Sequence, residues 1–300
     1  MMNTIFDNTG FFWVRYSDYE LKAADDGQRY VTPVLESKLT PYDPMANAET
    51  MIIDALNVGL LCLERKENDK TQTSVLEFVS KYGLLGFMTA LPTTPDFMQY
   101  DTTYIPHNHF IKVESMPSHD YAMLFFPFER PDLRKSSGEL ELNITDNNEL
   151  VALTMVSDKL PLSLSMNYLR DYAEPYDWLV TAFRDLAFTF YSSFMYYEEY
   201  DDIDENTRNA YRFGMSAFGG IAPSYRIILR DKPTLVWEFF SLLRSMQLMY
   251  SFMLTNDKKP IRSCKHCDKA FIACRANAAF CSAECKNQYN VQKSRDNDKQ

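Results

Sequence analysis

The chain has 300 residues, of which 46% are hydrophobic and 14% aromatic, and its formal net charge at pH 7 is −10. This composition predicts a folded protein with a substantial core, organised as one large domain with an appendage or as two moderate domains. An acidic chain repels nucleic acid at long range, which excludes general binding of DNA and leaves only a local, salt-sensitive contact.

The first 20 residues contain no basic flank, no uninterrupted apolar core and no small-residue cleavage site. They therefore lack the features of a secretory signal. We expect a cytoplasmic protein whose thiols are kept reduced, and in such proteins clustered cysteines bind metal more often than they form disulfides.

Short strands followed by helices are predicted at the start of the chain. Residues 10–16 and 29–32 are rich in aromatic and β-branched side chains, which favour strands. Apolar residues at helical spacing predict a helix over 48–65. A capping box opens a second helix at 74, and a glycine ends it at 83.

The middle of the chain changes to a strand pattern. We predict strands over 104–113 and 121–128, and a hairpin whose arms are 139–145 and 149–156. Three histidines accompany these strands and could form a metal site of an enzyme; surface or structural histidines are the alternative. They are His107, His109 and His119.

Helices are predicted beyond residue 162, over 178–197, 204–218 and 233–254. Charged and amide side chains interrupt the last of these, so we expect a buried amphipathic helix and no membrane span. The aromatic cluster at 188–197 could line a ligand cavity, form a dimer interface or simply pack in the core. A protein partner or self-association through this aromatic-rich body is therefore one expectation.

These elements predict an α+β protein: a mainly helical body with a small antiparallel sheet, followed by a C-terminal treble-clef zinc finger. The polar stretch 256–260 is the predicted domain boundary. We therefore expect a body over 1–257, which could sense a ligand or partner, and a zinc finger over 258–300.

Five of the six cysteines lie within 22 residues near the C-terminus. Two closely spaced pairs give four soft ligands, which is what a tetrahedral structural zinc site requires. The predicted ligands of one zinc ion per chain are Cys264, Cys267, Cys281 and Cys285. Cys274 and His266 are weaker candidates, and Cys62 is expected to pack in the core.

The two cysteine pairs are predicted to differ in local structure. Cys264 and Cys267 fit the turn of a short hairpin, in the form of a zinc knuckle. Ser282 is a good N-cap, which places Cys285 in the first turn of a helix that continues to Lys293. A knuckle, a hairpin and a helix that carries the last two ligands form the treble-clef arrangement.

The segments Arg262-Ser-Cys-Lys-His-Cys-Asp-Lys-Ala-Phe271 and Phe280-Cys-Ser-Ala-Glu-Cys-Lys-Asn-Gln288 resemble the CGNR-type zinc finger. In those bacterial proteins the finger follows a helical domain called ABATE, and they are regarded as stress-linked transcription regulators. The resemblance covers about 260–300 and implies a finger that contacts DNA. The name-giving run corresponds here to Cys285-Lys-Asn-Gln288, so its glycine and arginine are replaced and the spacing within each cysteine pair is shorter.

Charge and helical geometry define a candidate DNA-binding face. Residues 257–300 contain ten Lys or Arg and five Asp or Glu, which gives +5 against −15 for the preceding residues. At 100° per residue, Lys286, Asn290, Lys293 and Asn297 share one stripe of the last helix, and Arg275 could reach a phosphate beside it. An ordinary solvated helix face is the alternative.

Two interpretations of the protein therefore stand. The first is a cytoplasmic regulator whose C-terminal finger contacts duplex DNA. The second is a protein-interaction or structural protein in which the finger is a stabilising clasp or a docking surface. An enzyme built on the three histidines is a third and less favoured hypothesis.

Overall fold

A computed structural model describes residues 13–63, 69–87, 101–105, 113–128, 172–198, 200–217, 223–229, 231–239, 241–256, 258–275 and 277–297. Helices and small antiparallel sheets make up this part of the chain, so the predicted α+β class is confirmed. Its contacts divide it into two compact units. The first contains the described parts of 1–47, 72–181 and 222–245, and the second those of 48–71, 182–221 and 246–300.

The helices in the described part of the chain are α1 Ala48–Cys62, α2 Asp69–Tyr82, α3 Ser118–Met123, α4 Tyr176–Glu198, α5 Glu205–Ala217, α6 Leu242–Leu254 and α7 Ala283–Asn297. A short 3-10 helix, Pro44–Asn47, precedes α1. Of the described helices, none is long and apolar enough to cross a membrane.

The strands of the same residues are β1 Trp13–Tyr16, β2 Tyr19–Ala23, β3 Arg29–Pro33, β4 Leu39–Tyr42, β5 Thr102–Tyr104, β6 Ser115–Pro117, β7 Glu174–Pro175, β8 Ser224–Leu229, β9 Pro233–Glu238, β10 Ile261–Ser263 and β11 Ala270–Ile272. All of their pairings are antiparallel: β1 with β4, β2 with β3 and β3 with β7, β5 with β6, β8 with β9, and β10 with β11.

Aromatic side chains form the core of the first unit. The ring of Phe87 lies 5.2 Å from that of Phe125 and 4.6 Å from that of Trp178, measured between centroids. Trp13 is buried and its indole N–H donates to the carbonyl of Leu84 at 2.8 Å. This bond gives the polar atom of a buried tryptophan the partner it needs.

A buried carboxylate, that of Glu174, joins β7 to the turn after α2. Its oxygens accept from the backbone N–H groups of Leu85, Gly86 and Phe87 at 2.8, 2.6 and 2.6 Å, and from the hydroxyl of Tyr172 at 2.8 Å. Burial raises the pKa of this carboxyl from 4.5 to about 7, although the four hydrogen bonds act in the opposite direction. Because the folded-state pKa is the higher one, stability from this group is fully present below pH 4.5 and is lost as the pH rises through about 7.

In the second unit, α1 packs closely against α4 at Gly59. A Cβ placed on Gly59 would overlap the carbonyl oxygen of Phe183 and would lie 2.8 Å from the Cβ of Ala187. Glycine is therefore required here by the close approach of the two helices.

Several predicted elements agree with the structure. The strands predicted over 10–16 and 29–32 correspond to β1 and β3, and the helices predicted over 48–65, 178–197 and 204–218 correspond to α1, α4 and α5. The helix predicted from 74 begins five residues earlier, at Asp69, and ends as expected. The predicted hairpin at 139–156 lies outside the described residues.

Two predictions were wrong. Residues 233–238 are not the start of a helix that runs to 254 but strand β9, which pairs with β8 from Leu229↔Pro233 to Ser224↔Glu238. The β-branched and aromatic run Thr-Leu-Val-Trp fits a paired strand, so the helix begins only at Leu242. Residues 118–123 form helix α3, although a strand was predicted from 121.

The domain boundary predicted between 257 and 258 stays a prediction. By its contacts, the C-terminal segment belongs to the second compact unit, together with α1 and most of α4. Three separate stretches of the chain thus build the unit that contains the cysteines.

Candidate metal centre

The first cysteine pair lies in the turn that joins β10 to β11. These strands pair from Ile261↔Ile272 to Ser263↔Ala270, so the six residues between them must reverse the chain. The N–H of Cys264 donates to the carbonyl of Lys269 at 3.0 Å, and the N–H of Asp268 donates back to that of Cys264 at 2.9 Å. Asp268 has a φ of 56°, a conformation that aspartate tolerates in tight turns. The predicted hairpin turn at Cys264 and Cys267 is confirmed.

The second pair lies at the start of α7. The side-chain oxygen of Ser282 accepts from the N–H of Cys285 at 3.1 Å, and its carbonyl accepts from the N–H of Lys286 at 3.2 Å. Ser282 is therefore the predicted N-cap. Cys281 comes directly before this cap and Cys285 in the first turn, so the helix start itself brings their sulfur atoms within 3.5 Å.

The two pairs meet. All four sulfur atoms lie within 4.8 Å of one another. The Sγ of Cys267 is 3.7 Å from that of Cys281 and 3.8 Å from that of Cys285. In a tetrahedral site with metal–thiolate bonds of about 2.3 Å, the sulfur atoms are about 3.8 Å apart. The arrangement can therefore hold one metal ion with little movement.

Hydrogen bonds and burial shift the pKa values of Cys264 and Cys281 in opposite directions. Burial acts against ionisation of Cys264, but backbone N–H donors, first among them that of Cys281 at 3.4 Å from the sulfur, lower the pKa of Cys264 to about 6. Burial, followed by the neighbouring cysteines, raises the pKa of Cys281 to about 12. A metal that binds all four as thiolates must therefore displace protons, so its affinity decreases as the pH is lowered.

Of the other candidate ligands, those in the described part of the chain, including His266, are not members of this cluster. Among the described residues, no other group of three or more His, Cys, Asp or Glu side chains could hold a metal. Cys274 is exposed after β11, and Cys62 is buried in α1 as predicted. His107 and His109 lie outside the described residues, and the backbone of His119 is part of α3.

One polar side chain that the sequence did not single out joins the knuckle hairpin to α1. Asn57 donates through Nδ2 to the carbonyl of Ala270 at 3.2 Å and accepts through Oδ1 from the N–H of Ala270 at 2.9 Å. At the surface, Lys259 pairs with Glu49 of the same helix at 3.3 Å. The only sequence signal for Asn57 is its position between two apolar residues of a helix.

The predicted DNA-binding residues are on the surface. Lys286, Asn290 and Lys293 of α7 are exposed, and so is Arg275 after β11. The inner side of α7 contributes Tyr289, whose ring centroid lies 5.2 Å from that of Phe280. Most other side chains of α7 are exposed as well, and contact of the stripe with DNA stays a prediction.

Comparison of the chain with protein-family models, with curated proteins and with solved structures finds no match. The resemblance to the CGNR-type finger therefore depends on the motif residues themselves.

Proposed function

We propose that the four cysteines hold a structural zinc ion. Four thiolates complete a tetrahedral zinc site and leave no open position for water or substrate, which is the character of a structural centre. The ion would join the knuckle to the start of α7. In small fingers such a site contributes on the order of 10–16 kcal/mol to folding, so zinc would supply most of the stability of this short segment.

We further propose that the outer face of α7 contacts duplex DNA, and that the protein is a cytoplasmic transcription regulator. The observation that carries this proposal is that Lys286, Asn290 and Lys293 lie along one stripe of α7 and are all exposed. Lysine pairs with phosphate or guanine, and asparagine pairs with adenine. The charge of +5 over residues 257–300 favours contact through this segment.

The test is binding of the zinc-loaded full chain to duplex DNA over a range of salt concentrations. Each phosphate contact contributes about −0.9 to the slope of log affinity against log salt. The double variant Lys286→Glu/Lys293→Glu should lose binding and reduce that slope by about two, while its zinc content stays at one ion per chain.

A matched control is Lys38→Glu/Lys232→Glu, which changes the net charge equally at two exposed positions of the first unit. This control should bind nearly as the wild type does. Equal loss in both double variants would mean that only overall charge matters. Undiminished binding by the α7 variant would refute the proposed face.

A second candidate function, a structural clasp or protein-docking element, is favoured by the two hydrogen bonds between Asn57 and Ala270. They fix the knuckle hairpin to α1, as a clasp requires. Absence of DNA binding even at low salt, together with a less stable second unit after zinc removal, would favour this function over the first.

A further inference from the structure

The second compact unit contains an open cleft of about 780 Å³, here called the aromatic cleft. It is lined by residues of α4 and α5, by the end of α6, and by Ile261 and Arg262 of β10. Sites for small molecules have volumes of about 300–1,000 Å³ and combine apolar walls with a few polar groups. The size of the cleft fits an organic molecule with several rings.

Aromatic rings form much of its wall. Phe190 is almost fully buried, with 1% of its surface exposed, and its ring centroid lies 6.1 Å from that of Phe194. Tyr197 also lines the cleft and is 77% exposed, so its ring is accessible to a ligand. These rings offer flat faces and edges on which another ring can stack.

The charged side chains that line the cleft are basic, although the chain is acidic. Of the described residues that line it, none is a carboxylate, whereas two are arginines, Arg212 from α5 and Arg262 from β10. The chain as a whole carries −10. Guanidinium groups bind carboxylate, sulfonate and phosphate through paired hydrogen bonds.

Arg212 is held in place before any ligand arrives. Its Nε donates to the hydroxyl of Tyr196 at 2.9 Å, and its Nη1 lies 3.1 Å from a carboxylate oxygen of Glu205. Fixing the guanidinium in this way reduces the entropy that a ligand must overcome. The side chain is 47% exposed and so accessible to an anion.

We propose that the aromatic cleft binds an organic anion with an aromatic body, the rings stacking on Phe194 and Tyr197 and the anionic group pairing with Arg212 and Arg262. Arg262 belongs to the strand that leads into Cys264. A bound anion thus contacts the hairpin of the metal centre directly. This inference does not depend on DNA binding, because it uses only the residues that line the cleft.

The experiment compares two probes on the zinc-loaded full chain: 8-anilinonaphthalene-1-sulfonate and N-phenyl-1-naphthylamine, which has the same rings without the sulfonate. Fluorescence titration should give saturable 1:1 binding of the anionic probe, at least about tenfold tighter than that of the neutral one. Equal affinities, or no saturable binding of the anionic probe, would overturn the proposal without using any variant.

Variants locate the binding. Arg212→Gln should lower the affinity for the sulfonate probe by about tenfold and leave the affinity for the neutral probe unchanged. Arg295→Gln, which removes the same charge at an exposed position of α7, should change neither affinity. Ser193→Phe fills part of the cleft and should lower the affinity for both probes. Retained helical circular dichroism checks folding, and Arg262→Gln provides a second test of the anion contact. Wild-type affinity for the sulfonate in both arginine variants would refute the assigned site.

Discussion

The two hydrogen bonds between Asn57 and Ala270 can be tested by the substitution Asn57→Asp, which changes one NH₂ group into an oxygen. The aspartate can still accept from the N–H of Ala270, but it cannot donate to the carbonyl of Ala270, and it places a second oxygen 3.2 Å or so from that carbonyl. The shape of the side chain is unchanged. The variant therefore removes the donor of Asn57 while keeping its shape, and a control variant must account for the added charge.

The expected cost is worked from these two contacts. Ala270 is 2% exposed, so its carbonyl has little access to water once the donor is lost. An unsatisfied buried polar group costs about 1–3 kcal/mol, and repulsion between two oxygens adds to it. We expect Asn57→Asp to destabilise the docking of the hairpin by about 2–3 kcal/mol, and Asn57→Ala, which removes both bonds, by a similar amount or more.

The assay uses the distribution of tryptophan. All three tryptophans, Trp13, Trp178 and Trp237, belong to the first unit, so their fluorescence does not report directly on the second. Hydrogen exchange at the amide of Ala270 measures the docking itself. Exchange there should be about 30- to 150-fold faster in Asn57→Asp, which corresponds to the expected free energy, while tryptophan fluorescence unfolding is unchanged.

The control is Asn47→Asp, which introduces the same charge at an exposed position just before α1. It should leave exchange at Ala270 unchanged. Wild-type protection of that amide in Asn57→Asp would refute the reasoning, because it would mean that Asn57 does not hold the hairpin.

Two further predictions concern packing in each unit. Burial raises the pKa of Glu174 to about 7, so the unfolding free energy of the wild type should fall relative to that of Glu174→Gln by up to about 3 kcal/mol as the pH rises from about 4.5 to 7. Denaturation followed by tryptophan fluorescence measures this difference. A difference that does not change with pH would contradict the prediction. Gly59→Ala should destabilise the second unit by about 1–3 kcal/mol or more, since its Cβ overlaps Phe183. The matched change Gly214→Ala in α5, where nothing lies within 4 Å of the added Cβ, should be neutral or stabilising by up to about 1 kcal/mol in circular dichroism melts.

The local parts of the metal centre could be predicted from the sequence. A two-residue gap between cysteines dictates a tight turn, and a serine before a helical run dictates the cap, so the knuckle and the start of α7 follow from neighbours in the chain. The helical stripe of Lys286, Asn290 and Lys293 follows in the same way, from a fixed rotation per residue.

Predictions that depended on distant partners fared less well. The residues of β9 have apolar spacing that suits a buried helix as well as a strand, and only pairing with β8 selects the strand. Ser118 begins a short helix, and its hydroxyl lies 2.7 Å from that of Thr103, a contact that local pattern does not contain.

The sequence by itself thus determined the turn that carries Cys264 and Cys267 and the capped helix that begins at Cys281 and Cys285, because each depends on residues a few positions apart; the meeting of the two pairs was predicted from their spacing and is seen only in the fold. Tertiary structure alone decided that Asn57 fixes the hairpin to α1, that Glu174 is buried among four donors, and that two arginines from separate elements line one aromatic cleft. Such features join residues many positions apart, and they exist only once packing has brought those residues within a few ångströms.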